Sequence, residues 1–169
     1  MCLQGDTCNI EPTQPIYIIQ LNIWRLSMPL PRLTTPQVTA YYEEDTNIAR
    51  IYYRGEMSPE VIIEVYDWMK SLAPYVPIQD VRGGIYDFRA VTGFRTASFR
   101  TAQSQSQKFN AASDLSHIPV ALLISTFSQE QMVRVAMQVT PQEHRKAVVR
   151  TEAEARAFID MWHEQSAAT

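Results

Sequence analysis

The stretch GGIYDFRAVTGFRTASFRT, residues 83–101, decides the fold because it joins a strand pattern to a helix pattern. Its first half is rich in β-forming side chains up to Phe88, and the part from Thr96 onward has apolar residues at helical spacing. We therefore predict a short strand ending at Phe88, a connecting loop, and a helix over residues 96–112. The inward face of that helix is predicted to carry Phe99, Ala102, Ser106 and Phe109.

Upstream of this stretch, the sequence predicts a β-hairpin followed by a helix. The segments QVTAYYEED (37–45) and NIARIYYRG (47–55) are rich in β-formers and meet at polar turn residues. Ser58 is then placed as an N-cap, and Pro59 as the first helical residue. The helix that follows has an apolar face made of Val61, Val65, Trp68 and Leu72.

Downstream, two strands and two helices are predicted in alternation. The segment IPVALLIS (118–125) is continuously apolar, which is typical of a strand buried on both faces. Ser128 and Gln131 have the spacing of a capping box and predict the start of a third helix. The segment RKAVVR (145–150) predicts a last short strand.

A final helix is predicted to begin at Thr151, which has capping-box spacing to Glu154. Strands that alternate with helices predict an α/β fold, with a mixed, mostly parallel sheet of about five strands and about four helices. The hairpin forms its antiparallel edge. We expect one domain over 36–165. Residues 1–35 are expected to be an N-terminal extension, either flexible or the product of a start assigned too early, because Met28 offers another start.

Composition excludes several classes of protein. The chain has 169 residues, 46% of them hydrophobic, and a formal net charge of −3, which argues against a nucleic-acid binder relying on overall charge. No segment has the roughly 20 apolar residues that a membrane span needs. Cys2 and Cys8 form neither a metal-ligand cluster nor a disulfide framework. We expect a cytoplasmic protein without metal or cofactor.

Catalytic motifs are also absent from the sequence. There is no Walker-type phosphate loop, no GxGxxG and no GxSxG. The three histidines, His117, His144 and His163, fall at predicted element edges without the spacing of metal ligands. The carboxylates at 43–45 lie in the predicted hairpin turn, where solvation explains them. We therefore expect no enzyme.

A basic segment marks the candidate site. Residues 82–108 contain five basic residues and one acidic residue, in a chain that is negative overall. A helix N-terminus offers unpaired N–H groups and a positive dipole end, and arginine adds planar donors, so this segment suits an anion or an acidic partner. The candidate residues are Arg89, Arg95, Thr96, Ser98 and Arg100. The competing interpretation is structural: Arg89 pairs with Asp87, Thr96 is an ordinary N-cap, and the phenylalanines close the core.

From about residue 37 to 163 the chain resembles the STAS-type domains (sulfate transporter and anti-sigma factor antagonist), and among them bacterial proteins described as STAS/SEC14-like. The segments that carry the resemblance are ARIYYRGEMSPEVIIEVYDWM, GIYDFRAVTGF, IPVALLIS, EQMVRVAMQ and AVVRTEAEARAFIDMW. The resemblance implies a non-enzymatic regulatory or protein-interaction module. Its partner would be a protein or a small anionic or amphipathic ligand, and a homodimer is left open.

In anti-sigma factor antagonists, an Asp-Ser-Ser turn opens the corresponding helix, and its first Ser is phosphorylated by a partner kinase. The matching positions here are Arg95, Thr96 and Ala97, so Thr96 is the phosphoacceptor-equivalent position while a base replaces the acid. This departure favours a binding site over a working phospho-switch. The alternative function implied by the SEC14-like resemblance is a carrier or sensor of a small amphipathic ligand or lipid. It requires an apolar pocket beneath the second and third helices.

Overall fold

The computed structural model describes residues 29–167, in which a six-stranded sheet separates three helices from a fourth. The strands are β1 (Leu33–Thr34), β2 (Val38–Glu43), β3 (Ile48–Met57), β4 (Gly83–Phe94), β5 (Val120–Leu123) and β6 (Lys146–Val149). The helices are α1 (Pro59–Leu72), α2 (Thr96–Ala112), α3 (Phe127–Val139) and α4 (Glu152–Ala167). The expectations for Cys2, Cys8 and Met28 lie outside the described residues.

The strands lie side by side in chain order. The pairs β1–β2 and β2–β3 are antiparallel, and the pairs from β3 to β6 are parallel, because a helix crosses over between each of the latter. The predicted α/β fold is confirmed, with six strands rather than about five. The added strand is the two-residue β1. The segment that leads into it is held against α1 by a hydrogen bond from Trp68 Nε1 to the carbonyl oxygen of Pro31 at 2.9 Å.

Two hydrophobic cores fill the spaces on either side of the sheet. The larger core lies under α1, α2 and α3, and includes the fully buried Ile51 of β3. The smaller core lies under α4, where Ile85 of β4 packs with Ile159. All four residues of β5 are buried, which confirms the prediction of a strand covered on both faces.

The prediction that a strand ends at Phe88 is wrong, because β4 continues to Phe94. Its added residues pair with the long strand β3, and this non-local pairing outweighs their weak β pattern. Two register shifts accommodate the match, and at the second one Gly55 takes a φ of +68°, which glycine adopts without strain. The predicted connecting loop is therefore a strand.

The predicted cap of α3 is also wrong. Thr126 is the N-cap, and it forms a capping box with Gln129 instead of the predicted Ser128 and Gln131. The sequence offers the same spacing twice. The earlier pair is used because the Gln129 amide is buried against β4, where it donates to two backbone carbonyl oxygens.

The other helix starts agree with prediction. α1 has Ser58 as its N-cap and Pro59 as its first residue, although the Ser58 side chain does not cap the backbone. At the start of α4, the Glu154 amide donates to Thr151 Oγ1 at 3.1 Å. The Glu154 carboxylate accepts from the amide of Arg150 at 2.8 Å, one residue before the position of an ordinary capping box.

Candidate functional site

β3 and β4 project beyond the rest of the parallel sheet. β5 ends at Leu123, which lies opposite Asp87, so the last residues of β4 pair with β3 alone. We call the projecting ends, residues 54–57 and 91–96, the ribbon tip. α2 begins directly at this tip, with Arg95 as its N-cap residue.

Ser98 fastens the first turn of α2 to the ribbon tip. Its hydroxyl donates to the carbonyl oxygen of Met57 at 2.8 Å, and the residue is 1% exposed. The Arg95 amide donates to the same oxygen at 3.0 Å. Ser98 is therefore directed into the protein, and its hydroxyl is not presented to solvent.

Arg95 is exposed but carries an ion pair. Its Nε donates to Glu56 Oε2 at 2.7 Å, and both side chains are more than half exposed. Glu60 of α1 lies close enough for electrostatic interaction: its pKa is lowered by hydrogen bonds from the Ser58 hydroxyl and the helix backbone, and further by Arg95. Acidic side chains of β3 and α1 thus balance the first arginine of the candidate site.

Thr96 and Arg100 present unpaired polar groups to solvent. They are one helical turn apart, so they share a face of α2, and both are exposed. Within residues 29–167, neither side chain forms a hydrogen bond or an ion pair. Together with Arg95 they form a continuous polar surface at the start of α2.

Arg89 lies apart from this surface. Its guanidinium donates to both carboxylate oxygens of Asp87, from Nε to Oδ1 at 3.0 Å and from Nη2 to Oδ2 at 2.6 Å, and its amide donates to Oδ1 at 2.9 Å. These hydrogen bonds raise the pKa of Arg89. Six strand residues at ~3.3 Å each place Arg95 roughly 15–20 Å further along β4. The structure thus brings Arg95, Thr96 and Arg100 together on one surface, with Ser98 buried beneath it and Arg89 apart from it.

The excess of positive charge counted along 82–108 is not a single surface patch. Arg82 lies at the opposite end of β4, where it pairs with Asp160 of α4 at 2.7 Å. Lys108 lies near the far end of α2. The basic residues are therefore distributed over both ends of the sheet.

The second candidate feature is a cavity. None of the predicted site residues lines the larger of its two parts. It measures about 520 Å³ and lies between the sheet and helices α1 and α2. A smaller cavity of about 130 Å³ adjoins it and extends to α3 and the ribbon tip, where Ser98 is part of its wall. The expected apolar pocket was placed beneath the second and third helices. The larger volume is instead beneath the first and second.

Arg145 lines both cavities and is 6% exposed. It donates to the carbonyl oxygen of Ile118 at 2.6 Å and to Gln142 Oε1 at 2.7 Å. Burial lowers the pKa of Arg145, and the nearby hydroxyls of Tyr86 and Tyr66 offset part of that effect. Sequence reasoning missed this residue, because RKAVVR indicates only a short strand.

Asn110 adds an unsatisfied acceptor to the wall of the larger cavity. Its amide nitrogen donates to the carbonyl oxygen of Ser106 at 2.7 Å. Its Oδ1 is buried and accepts no hydrogen bond from the residues that the structure describes. Such an atom has a desolvation cost that a ligand donor or a water molecule removes.

The histidines have structural contacts. His117 and His163 are hydrogen-bonded through Nε2 to the carbonyl oxygens of Ile78 and Arg82, at 3.1 Å and 2.6 Å. In the described part of the chain, no group of three His, Cys, Asp or Glu residues is placed to hold a metal ion. None of the described helices combines the length and hydrophobicity needed to cross a membrane.

No family model and no curated protein matches the chain, but solved structures are similar to it. A protein of the DUF3478 family with a SpoIIAA-like fold, from Shewanella loihica PV-4, is 14% identical; the match covers 75% of this chain and 98% of that one, with a TM-score of 0.49. An anti-sigma factor antagonist from Mycobacterium paratuberculosis is 10% identical, with 76% and 99% covered and a TM-score of 0.48.

Proposed function

We propose that this chain is a non-enzymatic interaction module that binds a protein partner through the ribbon tip and the first turns of α2. The observation that carries the proposal is the exposed Arg100 guanidinium, which is unpaired within residues 29–167 and shares a helix face with the Thr96 hydroxyl. A guanidinium donates in a planar fork to carboxylate or phosphate. The partner therefore presents an anionic group to this surface.

Arg95 contributes a second, exchangeable cation. Its ion pair with Glu56 is exposed on both sides, and such pairs stabilise a fold by only ~0–1 kcal/mol. An anion of the partner can therefore replace Glu56 at low cost. Ser98 supports the surface from within by holding α2 against Met57.

Arg89 lies outside this surface, beside the start of α3, where a larger partner could also contact it. The Gln129 side chain donates to the Arg89 carbonyl oxygen at 3.1 Å, which places the first turn of α3 beside it. Phe127 begins that turn and is 71% exposed. Aromatic and arginine side chains are enriched in protein interfaces, so this region suits a larger partner.

A negative charge at Thr96 would act against the proposed binding. It is the first residue of α2, where a phosphate on its hydroxyl would meet the positive end of the helix and the Arg100 guanidinium one turn away. That phosphate would compete with the partner's anion. We therefore expect Thr96→Glu to weaken partner binding.

A quantitative pull-down tests the proposal, with the full chain as bait and a lysate of the organism that encodes it. The matched variants are Arg100→Glu and Arg134→Glu, since Arg134 is an exposed arginine on α3 that pairs with Glu130. We expect a protein that wild type and Arg134→Glu retain and Arg100→Glu loses. If Arg100→Glu retained the protein equally well, with circular dichroism showing that both variants fold, this surface would not be the binding site.

A further inference from the structure

The described residues that line the larger cavity include three basic side chains and no carboxylate. Arg145 lies inside, and Lys70 and Lys108 are exposed side chains of its wall, near the C-terminal ends of α1 and α2. None of the described aspartates and glutamates lines it, although Asp67, outside the wall, pairs with Lys70 at 2.9 Å. The chain as a whole carries −3, so the charge of this cavity is opposite to that of the protein.

Burial of the positive charge of Arg145 is unfavourable, and no described residue offsets it with a negative charge. Its two acceptors, the Ile118 carbonyl and the Gln142 side chain, are both neutral. No described carboxylate forms an ion pair with it. A buried charge is costly unless it is paired, so an anion bound in the cavity would be strongly stabilised at this side chain.

The rest of the cavity wall is predominantly apolar. Aliphatic and aromatic side chains from α1, α2 and the loops at this end of the sheet include Leu72, Val76, Ile78, Val81, Phe109 and Leu115. The volume of about 520 Å³ lies in the range of roughly 300–1,000 Å³ that small-molecule sites occupy. A few polar groups of the same wall, namely the hydroxyls of Tyr66 and Tyr86 and the amide of Asn110, complete the pattern of a ligand site.

We propose that this cavity binds an amphipathic carboxylate, with its head group on Arg145 and its apolar chain along the wall beneath α1 and α2. The buried Arg145 guanidinium carries one positive charge and donates only to neutral oxygens among the described residues, so one negative charge matches it, which favours a carboxylate over a dianionic phosphate. The inference does not rest on the proposed function, because the residues that line this cavity include neither the ribbon tip nor Arg95, Thr96 and Arg100.

Isothermal titration calorimetry of the full chain tests the proposal, with decanoate below its micelle concentration as the probe and decanol as the uncharged control. We expect decanoate to bind wild type at least about tenfold more tightly than decanol, since hydrogen bonds to charged groups are worth more than neutral ones. Arg145→Gln should lose about tenfold or more in decanoate affinity. Lys108→Gln, at an exposed position, should lose less than about fivefold.

A second variant keeps the test decisive if Arg145→Gln does not fold. Ala49→Phe fills the cavity from β3 and leaves Arg145 in place, and it should abolish decanoate binding. Equal affinity for decanoate and decanol, a larger loss in Lys108→Gln than in Arg145→Gln, undiminished binding by Ala49→Phe, or no binding by wild type would each overturn the proposal. None of these results bears on the Arg100 pull-down.

Discussion

The Ser98 hydroxyl donates to the carbonyl oxygen of Met57 at 2.8 Å, although the two residues are 41 positions apart in the sequence. This hydrogen bond joins the end of β3 to the first turn of α2. It fixes the side chains that α2 can present at the ribbon tip: with Ser98 inside, Thr96 and Arg100 face solvent. The geometry of the proposed binding surface therefore depends on a buried contact.

Ser98→Ala should lower the free energy of unfolding by about 1–2 kcal/mol, because a buried hydrogen bond is removed from an oxygen that keeps one other donor. Urea denaturation of the variant measures this loss. Ser104→Ala is the control, since Ser104 is an exposed residue of the same helix. Equal stability of the two variants would mean that the Ser98 contact contributes nothing.

Gly55→Ala should destabilise the protein by about 1–2 kcal/mol, because Gly55 has a φ of +68° and a Cβ in that conformation is strained. Steric contact does not contribute, since the space around a Cβ at Gly55 is open. Gly93→Ala is a matched control in the same ribbon, where space is also open and φ is not positive. Thermal or urea unfolding should separate the two, and a Gly93→Ala variant as unstable as Gly55→Ala would contradict the backbone explanation.

Gln129→Ala should cost about 2–4 kcal/mol of stability, because it removes the α3 capping box and leaves two carbonyl oxygens of β4 without their donor. Gln131→Ala, the other candidate cap, should change stability by less than ~0.5 kcal/mol, since Gln131 is exposed. Urea unfolding measures both. Similar losses in the two variants would indicate that α3 begins later than the structure shows.

Protonation of Glu43 should lower the stability of the protein at acidic pH. Burial alone would raise the pKa of Glu43, but hydrogen bonds from Thr46 and Arg156 outweigh it, and the pKa is lowered. The folded protein thus binds fewer protons at this site than the unfolded chain. The contribution is therefore present above the unfolded pKa of about 4.3 and lost as the pH falls through the folded pKa.

Urea unfolding at neutral pH and at about pH 3 measures this effect, since that interval includes the unfolded pKa of glutamate. Glu43→Gln should lose less stability on acidification than wild type does. Glu44→Gln, in the exposed turn, controls for the loss of a carboxylate. A wild-type acid response that Glu43→Gln leaves unchanged would be inconsistent with the proposed hydrogen bonds.

The order of elements and the starts of α1, α2 and α4 were predictable because their signals are local. Pro59 occupies the first turn of α1, and α2 has the predicted bounds of Thr96–Ala112. The end of β4 was not predictable from its own residues, since 89–94 become a strand through pairing with β3. The cap of α3 was ambiguous for a related reason: only the contact of Gln129 with β4 selects between two identical spacings.

The residues of the candidate sites also differ in whether local sequence could predict their positions. Placing Arg95 and Thr96 at the start of α2 required only the local pattern of strand and helix. The inward direction of Ser98 depends on where Met57 lies, and the burial of Arg145 depends on Ile118. No spacing along the chain encodes either contact, so both residues could be assigned a role only in three dimensions.

Hydrogen exchange of the full chain, with and without the protein that Arg100→Glu fails to retain, most directly tests docking at the start of α2. The first amides of a helix have no intrahelical acceptor and exchange rapidly, so a bound partner should slow them measurably. We predict slowed exchange over residues 93–103 and unchanged exchange over α4, on the opposite face of the sheet. Slowing confined to α4, or unchanged exchange over residues 93–103, would contradict the proposed binding surface.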